Sequence, residues 1–293
     1  MENPFQTRLA EAARATESRL DRLLSTSQED GKIDRPTRLV EAMRYAMLGG
    51  GKRLRPFLLI EAARLFGVEN TAVVSAAASL ECVHAYSLVH DDLPAMDDDD
   101  VRRGRPAVHK AFDEATAILA GDALLTIAFE ILAGIDAPAE MRVVLVVSLA
   151  RASGVGGMAG GQMLDLDKGR VWDETALRAM QRMKTGTLFA YAAEAGAILA
   201  GRSSEDRDRL RRFGAHFGAA FQLADDLDDA ANDDAAGRPS LAALLGPEVA
   251  RTMLLREVEA AAVLLGPFGD RGDVLRAAAG FVAGTAVTPT RPP

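Results

Sequence analysis

Residues 71–93 limit what this chain can fold into more than any other stretch. The run is nearly all small and apolar through Ala78, then gathers Glu81, His84, Tyr86, Ser87, His90, Asp91 and Asp92 toward its end. A helix apolar on every side must be buried, so this one reads as a core element whose polar end opens onto a site. Helical periodicity also covers residues 4–24, 36–48, 56–67, 111–133, 139–153, 173–199, 204–229, 240–265 and 270–284. Only residues 143–147 carry real strand propensity. Aromatic residues are 5% of the chain while alanine is abundant, which favours closely packed helices over sheets. The predicted fold class is all-α, one domain over residues 1–293, with 285–293 (TAVTPTRPP) a frayed or disordered tail.

Composition removes several functional classes. With 48% hydrophobic and 26% charged residues the chain is not a disordered one. It has no uninterrupted apolar run of the roughly 18–20 residues a membrane span needs, and residues 1–20 are too charged for a secretory signal. A cytoplasmic protein without a membrane span is therefore expected. The lone Cys82 excludes an internal disulfide and a thiolate metal cluster, and reads as a buried thiol. A net charge of -8 gives no basic footprint for nucleic acid, so any anionic ligand must be held by local basic residues.

The strongest chemical signal is HDDLPAMDDDDVRRGRP, starting at His90. Six carboxylates, Asp91, Asp92 and Asp97 to Asp100, fall within ten residues and repel one another unless cations neutralise them. Hard oxygen ligands without histidine or cysteine suit Mg²⁺, which commonly bridges one or two carboxylates to phosphate oxygens. An EF-hand is a poor fit, because the alternating ligands and closing glutamate are absent. Arg102 and Arg103 follow at once, and guanidinium groups fork onto the phosphate oxygens that metals leave free. A second cluster, FQLADDLDD from Phe221, puts Asp225 and Asp229 on one helix face with Asp226 beside them. Two acidic helix ends facing across a bundle would hold Mg²⁺ around one diphosphate and favour breaking its carbon–oxygen bond.

These residues resemble the trans-isoprenyl (polyprenyl) diphosphate synthases, and most closely bacterial farnesyl diphosphate synthases. The likeness runs from about residue 39 to 246. It rests on GGGKRLRP at 49–56, the segment from His84 through the first aspartate motif, AGDALLTIAFEIL from Ala120, GGQMLDLD from Gly160, the KTG from Lys184 and FQLADD from Phe221. The resemblance implies a bundle around a deep central cavity, usually a homodimer. Its reaction would join isopentenyl diphosphate to an allylic diphosphate (dimethylallyl or geranyl) by ionisation, condensation and proton elimination, with three Mg²⁺ ions in the substrate-bound site.

Carried over by position, the resemblance makes Asp91 and Asp97, supported by Asp92, and Asp225, Asp226 and Asp229 the metal ligands. Arg102, Lys184, Thr185 and Gln222 would bind the allylic diphosphate, and Lys52, Arg55, His84 and Arg103 the isopentenyl diphosphate. Lys52, Arg53 and Arg55 together supply a basic pocket after a glycine turn. Taken alone, GGGKRLRP also fits a basic surface turn, His84 a satisfied core histidine and Lys184 a solvated side chain. Gln162 and Asp165 read as groups behind the site, and Gly160 and Gly161 as close helix packing.

Tyr86 and Ser87 lie about 7.5 and 6 Å along the helix below Asp91, where a growing hydrocarbon must point. A tyrosine at that place resembles the pattern for a fifteen-carbon product, with ordinary core packing as the alternative. The chain departs from the family after Asp229. The stretch AANDDAAGRPSLAALLG is about ten residues shorter, lacks the first of two lysines and has Arg238 at the second. Turnover is therefore in question. The readings carried forward are a farnesyl or geranylgeranyl diphosphate synthase, or a catalytically weakened homologue acting as a diphosphate-binding or partner subunit. A terpene cyclase is disfavoured, because such an enzyme needs no second diphosphate site.

Overall fold

The computed structural model describes residues 4–25, 34–167, 169–229 and 239–287. They are overwhelmingly helical, and the chain divides into two compact units. One comprises residues 6–60 and 69–146; the other comprises residues 1–5, 61–68 and 147–293.

In the first unit, most of α1 (Pro4–Leu23), α2 (Thr37–Met47) and most of α3 (Leu54–Arg64) lead to α4 (Thr71–Asp91). Asn70 caps α4 by accepting from Val73 N at 3.1 Å, satisfying one of the free N–H groups at a helix start. As expected from its sequence, α4 is buried along most of its length, Cys82 included. A two-residue hairpin, β1 (Val101–Arg102) with β2 (Arg105–Pro106), precedes the short α5 (Val108–Ala111) and α6 (Glu114–Ala133). The expected helix over 111–133 is thus interrupted, because Asp113 turns extended and caps α6 on Thr116 N at 2.7 Å. That bond, with Arg38 and the Thr116 hydroxyl, holds the Asp113 carboxyl near a pKa of about 2. α6 packs on α4 and α2, and Ser79 ties α4 to it by donating to the Ala128 carbonyl at 2.7 Å.

The remaining elements are α7 (Ala139–Ser153), α8 (Met158–Asp165), α9 (Glu174–Gln181), a π-turn (Arg182–Gly186), α10 (Thr187–Leu199), α11 (Ser204–Asp228), α12 (Leu241–Leu245), α13 (Pro247–Leu264), a 3₁₀ segment (Gly266–Gly272) and α14 (Asp273–Val287). The strand-prone residues 143–147 are helical, inside α7. In the second unit α11 is the central helix, packed by α10, α13 and α14. The helix expected over 240–265 splits at Gly246, whose φ of +89° ends α12 before Pro247 starts α13. α14 continues to Val287, two residues past the expected start of the tail, and 288–293 lie outside the described residues.

Although no uninterrupted apolar run is present, Thr71–Asp91, Glu114–Ala133 and Ala139–Asp165 are long and apolar enough by composition to cross a bilayer. In Thr71–Asp91, 72% of that apolar window is buried inside the protein. α6 instead leaves Leu119 57% exposed.

Candidate active site

The first aspartate motif folds back on the helix that delivers it. Asp97 N donates to the Asp91 carbonyl at 2.8 Å and Asp98 N to the Leu93 carbonyl at 3.1 Å, so residues six apart become neighbours. The six carboxylates then separate into three surroundings. Asp91 is buried and Asp97 half-buried. Asp92 is turned inward and accepts from Arg102, whose Nε lies 2.9 Å away, while the same guanidinium reaches Asp99 at 3.1 Å. Burial pushes the Asp92 carboxyl up, and the Arg102 charge opposes that rise. Asp98 and Asp100 are exposed and stand near the buried His109, with Lys110 Nζ 2.8 Å from Asp100.

Arg103 sits at the hairpin tip with a left-handed φ of +53° and donates to the Gly50 carbonyl. Gly51, with φ +126°, makes room for it: a Cβ there would meet the guanidinium carbon at 2.7 Å. Arg53 departs from the expected basic pocket. It is buried, paired with Glu81 and with Glu17 at 3.3 Å, and donates to the Met47 carbonyl. Its charge is spent inside, whereas Lys52 is exposed and Arg55 half-buried. Arg55 Nη1 lies 3.4 Å from His84 Nε2. Burial, then the charges of Arg55, Arg103, Arg53 and Arg102, hold His84 well below its ordinary pKa, so the ring is neutral. Tyr86 is half-buried with its ring edge-on to His90 at 5.8 Å, and Ser87 donates to the His84 carbonyl of its own helix.

The second cluster ends α11. Asp225 is half-buried, Asp229 exposed and Asp226 buried. Asp226 accepts from Gln181 Nε2 at 2.9 Å, from Leu241 N at 2.9 Å and from Gln222 Nε2 at 3.1 Å. Both its oxygens are therefore occupied by protein donors. Burial pushes its pKa up against those bonds. Thr185 donates to Gln222 at 2.9 Å, which links the network to the π-turn carrying Lys184 and Thr185. Such turns are rare and recur at functional sites. Lys184 is paired with Asp165 at 2.6 Å. The glycines of α8 are packing residues, as expected: a Cβ on Gly161 would lie 2.2 Å from Lys184 N. Gln162 is buried, and neither of its amide atoms has a hydrogen-bond partner among the described residues. Arg238 lies outside the described residues.

Sequence reasoning missed Gln181, whose partner is 45 positions away, and His109, which was not connected to the aspartates before it. The donor sets fit Mg²⁺: Asp91 with Asp97, and Asp225 with Asp229, offer only carboxylate oxygens.

The comparisons with known proteins bear on the family and the fold. The family profile for polyprenyl synthetase matches residues 36–241. The farnesyl diphosphate synthase of Escherichia coli (strain K12) is 46% identical over 235 residues, covering 73% of this chain and 77% of that protein. Geranylgeranyl pyrophosphate synthase 11 of Arabidopsis thaliana is 40% identical over 272 residues, covering 86% of this chain and 76% of that protein. The apo crystal structure of an FPP/GFPP synthase from Zymomonas mobilis superposes with a TM-score of 0.87 at 42% identity, covering 95% of this chain and 98% of that one. With its ordered motifs, its helical architecture and these relatives in agreement, the chain belongs to the polyprenyl synthetase family.

Proposed function

We propose that this prenyltransferase-family chain condenses isopentenyl diphosphate with dimethylallyl or geranyl diphosphate and releases farnesyl diphosphate and inorganic diphosphate. The observation that carries the reading is the return of Asp97 onto Asp91 at the end of an apolar helix. It brings the backbones of the two residues together at the polar end of a largely buried helix, which supports their acting as one metal-holding pair. By the resemblance, Asp91, Asp97, Asp225 and Asp229 would hold Mg²⁺, which when bound would supply charge to neutralise a departing diphosphate, with three ions the expected complement. Asp92 and Asp226 act behind these ligands, the first through Arg102 and the second through its amide network.

Arg102 leaves Asp92 for the allylic diphosphate, joined by Lys184, Thr185, Gln222 and Arg238. Lys52, Arg55, Arg103 and the neutral His84 hold the isopentenyl diphosphate without metal. The shortened segment after Asp229 supports slower turnover than a two-lysine loop would give. Tyr86 forms the floor that stops growth at fifteen carbons, with a twenty-carbon product as the rival.

We further propose a cytoplasmic homodimer. Its support is the resemblance together with a groove of about 410 Å³ lined by Leu39, Met43, Leu119 and Ile127, beside exposed apolar positions of α6.

Incubation with isopentenyl diphosphate, each allylic diphosphate and Mg²⁺, followed by product sizing, tests the reaction. Tyr86→Ala should lengthen the product, and an active variant with unchanged product length would remove Tyr86 as the floor. No product from any allylic substrate would overturn the proposed activity.

A further inference from the structure

We propose that Asp98, Asp100 and His109 form a second kind of cation site, separate from the Mg²⁺-binding carboxylates, which takes a borderline divalent metal such as Zn²⁺ and clamps the base of the β1–β2 hairpin. One ligand atom from each residue lies within 4.8 Å of the other two. His109 is only 6% exposed, and neither ring nitrogen has a hydrogen-bond partner among the described residues. A buried imidazole normally satisfies at least one nitrogen with protein or water, so an orphaned ring beside two carboxylates is an unfinished coordination shell. Ligands at zinc distances stand about 3–4 Å apart, so small side-chain shifts would complete this one.

The donor set separates the site chemically from the catalytic clusters. Those offer oxygen alone, whereas one imidazole nitrogen with two carboxylates suits Zn²⁺ over Mg²⁺. Three protein ligands leave a position for water. Lys110 already places a cation at Asp100, 2.8 Å from Oδ1, and is itself exposed, so it can yield that side of the carboxylate.

The placement explains what a metal would do. Asp100 immediately precedes β1 with Asp98 two residues before it, His109 lies in α5 three residues after β2, and Ala107 N already closes on the Asp100 carbonyl at 2.8 Å. A metal would cross-link the two strands where they enter and leave the hairpin, whose other residues include Arg102 and Arg103. Its effect on diphosphate affinity rests on the proposed function; the binding itself does not.

The test is equilibrium dialysis of the substrate-free full-length protein against Zn²⁺, with bound metal measured by mass spectrometry, and against Co²⁺, with the visible ligand-field bands recorded. Wild-type protein should hold one ion per chain. His109→Gln and Asp98→Asn should each weaken binding at least tenfold, and the Asp91→Asn/Asp225→Asn double variant should retain it. Lys110→Met should tighten it. Should His109→Gln fail to fold by circular dichroism, Asp98→Asn, at an exposed position, carries the same test. Absence of stoichiometric metal, binding indifferent to both His109→Gln and Asp98→Asn, or loss in the Asp91→Asn/Asp225→Asn variant would each overturn the site.

Discussion

At the end of α4 the inward aspartate, Asp92, is matched by the charge of Arg102; at the end of α11 the inward aspartate, Asp226, is met by the amides of Gln181, Gln222 and Leu241. The Arg102 side chain is 36% exposed and can exchange a carboxylate for a phosphate. The donors around Asp226 carry no net charge and belong to three separate elements, so they fix helix ends against one another. The first cluster pairs its inward aspartate with a partly exposed charge, while the second buries its own in a network of neutral donors.

Removing a carboxylate proposed to hold metal in either cluster should erase this difference and produce the largest effect. Asp91→Ala and Asp225→Ala should each lower kcat by about a hundredfold or more, the scale of lost electrostatic stabilisation in a transition state, with helicity by circular dichroism unchanged. Near-wild-type turnover in either would show that the clusters do not share the ionisation step. Next in size are the arginines of the first region. Arg102→Ala should raise KM for the allylic diphosphate, and Arg55→Ala that for isopentenyl diphosphate, each by roughly tenfold to a hundredfold, since a charged hydrogen bond is worth about 1.5–3 kcal/mol. If both variants affected both substrates equally, the division into two diphosphate sites would fail.

A smaller effect distinguishes the inward residues. Asp226→Asn turns an amide donor toward other donors and should cost about 1–3 kcal/mol in urea unfolding, whereas Gln222→Glu tests the same network from its partner. A stable Asp226→Asn variant that had lost only metal affinity would make Asp226 a ligand after all. The smallest effect concerns His84, which only the first region surrounds with arginines. Its folded pKa lies well below 6.5, so its contribution to stability is present above that value and lost as pH falls through it toward the folded pKa. His84→Asn should flatten this segment of the stability profile, and an unchanged slope below pH 6.5 would place the charged ring elsewhere.

The helices and the clusters were legible because their signals are local: α4 announces itself by composition, and the acidic motifs by adjacency. What escaped depends on contacts between distant residues or on single backbone positions. Nothing near Asp226 in sequence reveals that Leu241 N will reach it, and nothing in GGGKRLRP marks Arg53, rather than its basic neighbours, as the one that pairs with Glu81. Asp113 and Gly246 were readable in principle as a cap and a left-handed stop. Continuous apolar periodicity on both sides concealed them. His109 was hidden for another reason: in sequence Asp98 and Asp100 have no neighbour of their own, and only the fold of the loop and hairpin brings them near the imidazole.

The π-turn at residues 182–186 inserts one residue into an otherwise continuous helical run from Glu174 to Leu199. One extra residue advances every later side chain by about 100° around the axis. The faces of α9 and α10 are consequently out of phase, as though the chain had been spliced at Lys184. A deletion of one residue there would restore an ordinary helix and still disturb the second unit, because α10 is buried on every side and Leu188, Phe189 and Ala192 would turn together toward neighbours they do not fit. In this stretch the permitted sequence changes are substitutions, and the count of residues is itself a structural constraint.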